Sequence, residues 1–93
     1  MQKRHLDRHL YFTELATTSR EFYIDYVNCH FSLTPDNRIL EVGCGDGGNL
    51  LPFAEIGCTI KGIDRSEERI SRAKAYFEPF GNRAEFSAIN FFD

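Results

Sequence analysis

Glu41, Gly43, Gly45, Gly47 and Gly48 fall within eight residues of one another in ILEVGCGDGG (residues 39–48), and Asp64 follows Gly43 by 21 positions in KGIDRS. Glycines this dense serve backbone that turns through conformations closed to other residues, or backbone that a ligand approaches closely. Two spacings are present at once. Gly43, Gly45 and Gly48 give G-x-G-x-x-G, a loop suited to cradle a pyrophosphate. Glu41, Gly43, Gly45 and Gly47 give E-x-G-x-G-x-G, in which a carboxylate leads the loop. An acid about 20 positions beyond such a loop is placed to accept hydrogen bonds from ribose hydroxyls, and Asp64 holds that position. The plainer readings are that Glu41 is a strand-end carboxylate and Asp64 the acid that starts the next helix. Cys44 reads as a small residue filling a tight loop, not a nucleophile.

The surrounding periodicities say what positions these residues. Residues 3–16 have mixed helical character, with Leu6 and Leu10 one turn apart and Leu15 further on. Thr18 and Glu21 have capping-box spacing, which predicts a second helix from Ser19 to Phe31. Phe22, Tyr23, Tyr26, Val27 and His30 would form its apolar stripe. TPDN (34–37) is a turn. Ile39, Leu40 and Val42 then read as a strand buried on both faces. Asn49–Ile56 is a short helix with Pro52 in its first turn, stopped by Gly57. Cys58–Ile63 is a second strand, and Ser66 opens a helix that ends near Pro79. After a turn at Phe80–Asn82, Ala84–Ile89 alternates as an exposed edge strand. The order α-α-β-α-β-α-β predicts a helical segment over 1–33 and a βαβαβ unit over 38–93, with a parallel sheet. Ligands of such sheets bind beyond the carboxyl ends of the strands, which is where the glycine loop lies.

Composition narrows the classes further. With 93 residues the chain holds one small domain, and 42% hydrophobic content with nine Phe supplies a core. The net charge of −3 lacks the basic footprint of a nucleic-acid binder. Lys3, Arg4 and Arg8 read as an ordinary solvated end. Cys29, Cys44 and Cys58 are odd in number and widely spaced, which argues against disulfides and zinc and for a reducing compartment. His5 and His9 are four apart, but no third ligand accompanies them, so no metal is expected. No apolar run is long enough to span a membrane and the polar start is not a signal peptide, so the expectation is a cytoplasmic protein.

From Glu41 through the glycines to Asp64, and on through SEERISRAKAYF and AINFFD, residues 22–93 resemble the class I S-adenosylmethionine-dependent methyltransferases. The resemblance implies a Rossmann-like, three-layer α/β/α fold whose seven-stranded sheet is represented here by its N-terminal half, in strand order 3-2-1. It implies S-adenosylmethionine as cofactor, bound by Glu41, Gly43, Cys44, Gly45, Gly47, Asp64, Arg65, Asn90 and Phe91. Glu41 would orient the methionine end, Gly43, Gly45 and Gly47 would let the backbone pass beneath the ligand, and Asp64 would hold the ribose. Asp64 would then face the ligand and not the core. Arg65 and Asn90 would line the adenine, with Asn90 standing where the family often has Asp, and the Phe91 backbone N–H would reach the ring. Tyr23 or Tyr26 could cover the cofactor; as plainer alternatives these two are core or surface residues, and Phe91 and Phe92 core aromatics. Charge favours this cofactor over a dinucleotide, because a pyrophosphate on the loop would be repelled by Glu41 whereas a sulfonium and an ammonium would not.

The implied activity is methyl transfer to a small-molecule acceptor, with the catalytic group, if any, unassigned. In the family that the chain resembles, a base for the acceptor's proton usually lies after the fourth and later strands, so the expectation is that this chain is the cofactor-binding half of a longer protein. It would leave the first strand as a bare edge open to self-association. The alternatives are a non-catalytic cofactor-binding or interaction module and NAD-type dinucleotide binding.

Overall fold

A computed structural model describes residues 2–30 and 32–90, with side chains from Arg8 onward. Helices α1 (Gln2–Thr18) and α2 (Ile24–His30) precede β1 (Arg38–Val42), α3 (Leu51–Ile56), β2 (Thr59–Asp64), α4 (Glu67–Tyr76) and β3 (Ala84–Ala88). The three strands are parallel in the order β1-β2-β3, with Glu41 beside Gly62 and Gly62 beside Phe86. This is the α/β open sheet that the alternation of elements predicts.

Side chains alternate across the sheet, and the helices occupy one side of it. Ile60 and Phe86 are buried with Phe12 of α1, Phe53 and Ala54 of α3, and Ile70 and Ala73 of α4 in a single core. Right-handed crossovers that step the same way across a sheet lie on the same face, so α3 and α4 share it. The described residues thus form two of the three expected layers. On the other face Leu40 and Val42 are 60% and 62% exposed. Lys61 and Glu85 make an ion pair there at 3.5 Å. The expectation that β1 is buried on both faces is therefore not met, because nothing among the described residues packs on that face.

Local signals account for the α3 and α4 boundaries. Ser66 caps α4, its Oγ accepting from the Arg69 N–H at 3.2 Å, with Glu67 and Glu68 in the first turn where negative charge is favoured. Gly57 ends α3, and Pro52 sits in its first turn. A 3-10 turn, Gly48–Leu50, leads into α3.

The N-terminal helices depart from the sequence reading. Thr18 makes no capping bond; its φ of −60° and ψ of −44° are helical, and the chain continues through a π-helical turn, Ser19–Tyr23, into α2. The wide turn buries Ser19 and lets its Oγ donate to the Asn49 carbonyl at 2.7 Å. It also rotates the following residues, so that Ile24 and Val27 pack on the core while Phe22, Tyr23 and Tyr26 are exposed. The expected end of this helix at Phe31 lies outside the described residues. No described helix is long and apolar enough to cross a membrane. Among the described residues no group of His, Cys, Asp and Glu could hold a metal ion.

Candidate functional site

Two cavities meet at the carboxyl ends of the strands and share Gly43 and Arg69. The first, about 370 Å³, lies between α1 and the glycine loop: Arg8, Tyr11, Phe12 and Leu15 face Glu41, Cys44, Gly45, Asp46 and Asn49, with Arg69 and Arg72 of α4 at the side. The second, about 660 Å³, is lined by Asp64, Arg65, Ser66 and Asn90. Both volumes fall in the range of small-molecule sites. A Cβ at Gly43 or Gly45 would meet nothing within 4 Å, so the loop here is a bare wall. The arrangement suits an extended ligand with one part in each cavity and its middle against Gly43.

Asp64 ends β2 and is only 7% exposed. Its Oδ2 accepts from the Gly45 N–H and its Oδ1 from the Ser66 N–H, both at 2.9 Å. Burial pushes its carboxyl up, but these backbone donors and the nearby Arg69 charge outweigh it and hold the pKa below the usual value. The side chain therefore ties the glycine loop to the start of α4, which fits the plainer reading of an acid that starts that helix and adds to it the tie to the loop. The two oxygens offer about four acceptor sites between them, enough for these donors, the Arg65 N–H and one further donor.

Glu41 lies on the helix-covered face of β1. Its Oε2 accepts from Asn49 Nδ2 at 3.2 Å. Burial raises its pKa; the Asn49 hydrogen bond opposes the rise and the Asp64 charge adds to it. Asp46, within the loop, is held by Arg72, whose Nε lies 3.2 Å from both carboxylate oxygens. Arg72 also bonds Glu68 at 3.0 Å, and Arg8 reaches the same carboxylate at 3.4 Å. These contacts join loop, α4 and α1 around the first cavity.

The loop's amides are largely committed. Gly43 and Cys44 both donate to the Ile63 carbonyl, Gly45 to Asp64, and Gly47 to the Cys44 carbonyl. A loop that cradles phosphates needs such N–H groups directed at the anion. Four of them are spent within the protein here.

Of the residues expected at the site, Glu41, Gly43, Cys44, Gly45, Asp64, Arg65 and Asn90 line the two cavities. Gly47 sits behind the loop, against Phe77 and Phe86. Phe91 and Phe92 lie outside the described residues. Neither Tyr23 nor Tyr26 lines either cavity; α1 covers the site instead, through Tyr11, Phe12 and Leu15. Arg8 likewise is not a plain solvated end. The signal that could have revealed α1 is Gly48, where a Cβ would stand 2.8 Å from Leu15 Cβ and 2.9 Å from the Phe12 carbonyl oxygen. The fourth glycine is needed because a helix lies against it.

Cys44 is buried, and its thiol is pushed up to about 12, chiefly by that burial. Only the thiolate is a nucleophile. Brief iodoacetamide treatment of the native chain at pH 8 should alkylate exposed Cys29 and spare Cys44, as read by peptide mass mapping. Equal labelling of the two would show that the loop opens freely.

Comparison with known proteins gives one consistent result. The methyltransferase domain family matches residues 9–93. The chain is 32% identical over 65 residues to the protein-L-isoaspartate O-methyltransferase of Salinibacter ruber, covering 70% of this chain and 28% of that one. It is 28% identical over 82 residues to the geranyl diphosphate 2-C-methyltransferase of Saccharopolyspora erythraea, covering 85% and 28%. It thus spans just over a quarter of the length of these two relatives. Among solved structures, that of PKMT2 from Rickettsia typhi in complex with AdoHcy superimposes with a TM-score of 0.56 at 32% identity, covering 63% of this chain and 12% of that one. With the glycine loop, its leading carboxylate and the acid ending β2 in one site, the chain belongs to the class I S-adenosylmethionine-dependent methyltransferases.

Proposed function

We propose that this chain holds the cofactor-binding half of a methyltransferase site, taking S-adenosylmethionine as donor and a small organic molecule as acceptor. When bound, the cofactor supplies a methyl group on a sulfonium, open to in-line displacement. The protein's task is then to position the reactants and exclude water. Glu41 serves the cationic methionine end, in the cavity that α1 covers. Gly43, Cys44 and Gly45 form the wall beneath the ligand, and Gly47 supports that wall from behind. Asp64 accepts from the ribose hydroxyls, and Arg65 and Asn90 border the adenine.

The observation that carries this reading is the loop's own hydrogen bonding. With Gly43, Cys44, Gly45 and Gly47 donating inside the protein and Glu41 beside them, the loop suits a cationic ligand and not a pyrophosphate. The net charge of −3 weighs against a nucleic-acid acceptor, and one relative is named for a small-molecule acceptor, geranyl diphosphate. Calorimetric titration should show S-adenosylmethionine and S-adenosylhomocysteine binding, with NAD and NADP giving no heat. Tighter binding of NAD would reverse the assignment.

A further inference from the structure

Glu41 Oε1 and Asn49 Oδ1 are both buried, and neither has a hydrogen-bond partner among the described residues. The two side chains already meet through their other atoms, Asn49 Nδ2 donating to Glu41 Oε2. Leaving two buried acceptors without a donor is costly. One proton on Oε1 would answer both deficits at once: its O–H would donate to Oδ1 and, with the existing Nδ2–Oε2 bond, close a ring as an acid and an amide pair. Asn49 is itself held in place, since its carbonyl accepts from Ser19 Oγ of the π-helical turn.

We propose that Glu41 and Asn49 share one proton before ligand binds and release it when the ligand's cationic end arrives, with Asn49 acting as the positioning residue for Glu41. On release the Oε1–H bond breaks, its electron pair stays on Oε1, and the proton passes to water. The carboxylate then faces the cation in its place. The release half rests on the S-adenosylmethionine reading above; the shared proton does not.

Glu41 lines the first cavity together with Cys44 and Asp46 of the loop, Arg8 and Tyr11 of α1, and Arg69 and Arg72 of α4, and the Asp64 charge on β2 acts on it. Asp46 is paired with Arg72. Cys44 is pushed up to about 12 and Asp64 is held low, so neither changes charge near neutral pH. Burial raises the Glu41 carboxyl above its ordinary value against the pull of the Asn49 hydrogen bond, with the Asp64 charge adding to the rise.

Carbon-13 NMR of the ligand-free chain tests the pair directly. The Glu41 carboxyl should titrate above the ordinary glutamate value, with the Asn49 side-chain amide signals moving at the same midpoint. A Glu41 carboxyl ionised throughout pH 5–8, or Asn49 signals indifferent to it, overturns the shared proton. Calorimetry of S-adenosylhomocysteine in two buffers of different ionisation enthalpy tests the release. Below that midpoint binding should release about one proton and weaken up to tenfold per pH unit. 5′-Methylthioadenosine, which lacks the amino-acid end, should release none, and neither should the Glu41→Gln variant. Binding without proton release in the parent overturns the exchange. Absence of S-adenosylhomocysteine binding overturns the functional reading and the release with it, while the NMR titration still judges the pair.

Discussion

Asp64→Ala should unfold at a midpoint about 10–50 °C below the parent and bind S-adenosylhomocysteine about 30-fold to 1,000-fold more weakly. The two losses have separate causes. Removing the carboxylate strands the Gly45 and Ser66 N–H groups that it accepts from. Each unsatisfied donor costs about 1–3 kcal/mol, and a chain of this size loses about 4–8 °C per kcal/mol. The ribose hydroxyls lose an acceptor as well, at about 2–4 kcal/mol in binding for the pair. Asp64→Asn is not a mild change here, because its single amide oxygen can serve only one of the two N–H groups while its NH₂ confronts the other. The sign of the pH effect follows from the depressed pKa of Asp64. A carboxylate held lower in the folded state than its unfolded value of about 3.9 adds stability that is full above that value and disappears as pH falls through the folded pKa. Chemical unfolding of parent and Asp64→Asn from pH 7 down to pH 3 should therefore show the gap between them closing on the acid side. Binding, measured at a temperature where each variant is folded, separates the roles: Asp64→Ala with parental affinity would leave Asp64 as the tie between loop and helix and nothing more.

Asp64 shows what a sequence carries and what it does not. The βαβαβ order, the α3 stop at Gly57 and the α4 cap at Ser66 were legible because each depends on a residue's own preference or on near neighbours. The clustering of the candidate residues was legible for the same reason, since Glu41, Gly43, Gly45 and Asp64 lie on two short stretches that the sheet must bring together. The misreadings concern longer-range packing. Thr18 and Glu21 have the spacing of a cap, yet burying Ser19 against Asn49, and pairing Arg20 with Glu55 at 2.8 Å, keeps the chain helical through the π turn. Those partners are 30 and 35 positions away, and no local pattern announces them. The aromatic stripe of Phe22, Tyr23 and Tyr26 looked like a core face because hydrophobic periodicity says only that a face exists, not what lies against it. The bond from Ser66 fits the plainer reading of Asp64 as the acid that starts α4, whereas its tie to the Gly45 N–H is not legible, because a backbone donor is betrayed by no residue type.

Gly47→Ala should cost about 2–5 kcal/mol of stability, a large part of the 5–15 kcal/mol that a folded domain has in total. Gly47 has φ 91° and ψ 12°, a left-handed conformation. An L side chain there costs about 1–2 kcal/mol. The remainder comes from space. The added Cβ would stand 2.8 Å from Phe77 Cε1 and 3.2 Å from Phe86 Cε1 and Cζ. Neither ring can withdraw easily. Both are buried, their centroids lie 4.8 Å apart, and Phe77 is further hemmed in by Phe12 and Phe80. Forcing a methyl group into a filled core costs about 1–3 kcal/mol more. Gly45→Ala is the control: it shares the positive φ, at 58°, but its Cβ would point into open space on the cavity side. It should lose only the conformational part of the stability, about 1–2 kcal/mol, while placing a methyl group where the ligand is to lie. Thermal unfolding and S-adenosylhomocysteine titration of the two variants should thus separate them, Gly47→Ala failing mainly in the first and Gly45→Ala mainly in the second. Equal losses of stability would mean that the Phe77–Phe86 pair yields, and that Gly47 is required by backbone conformation alone.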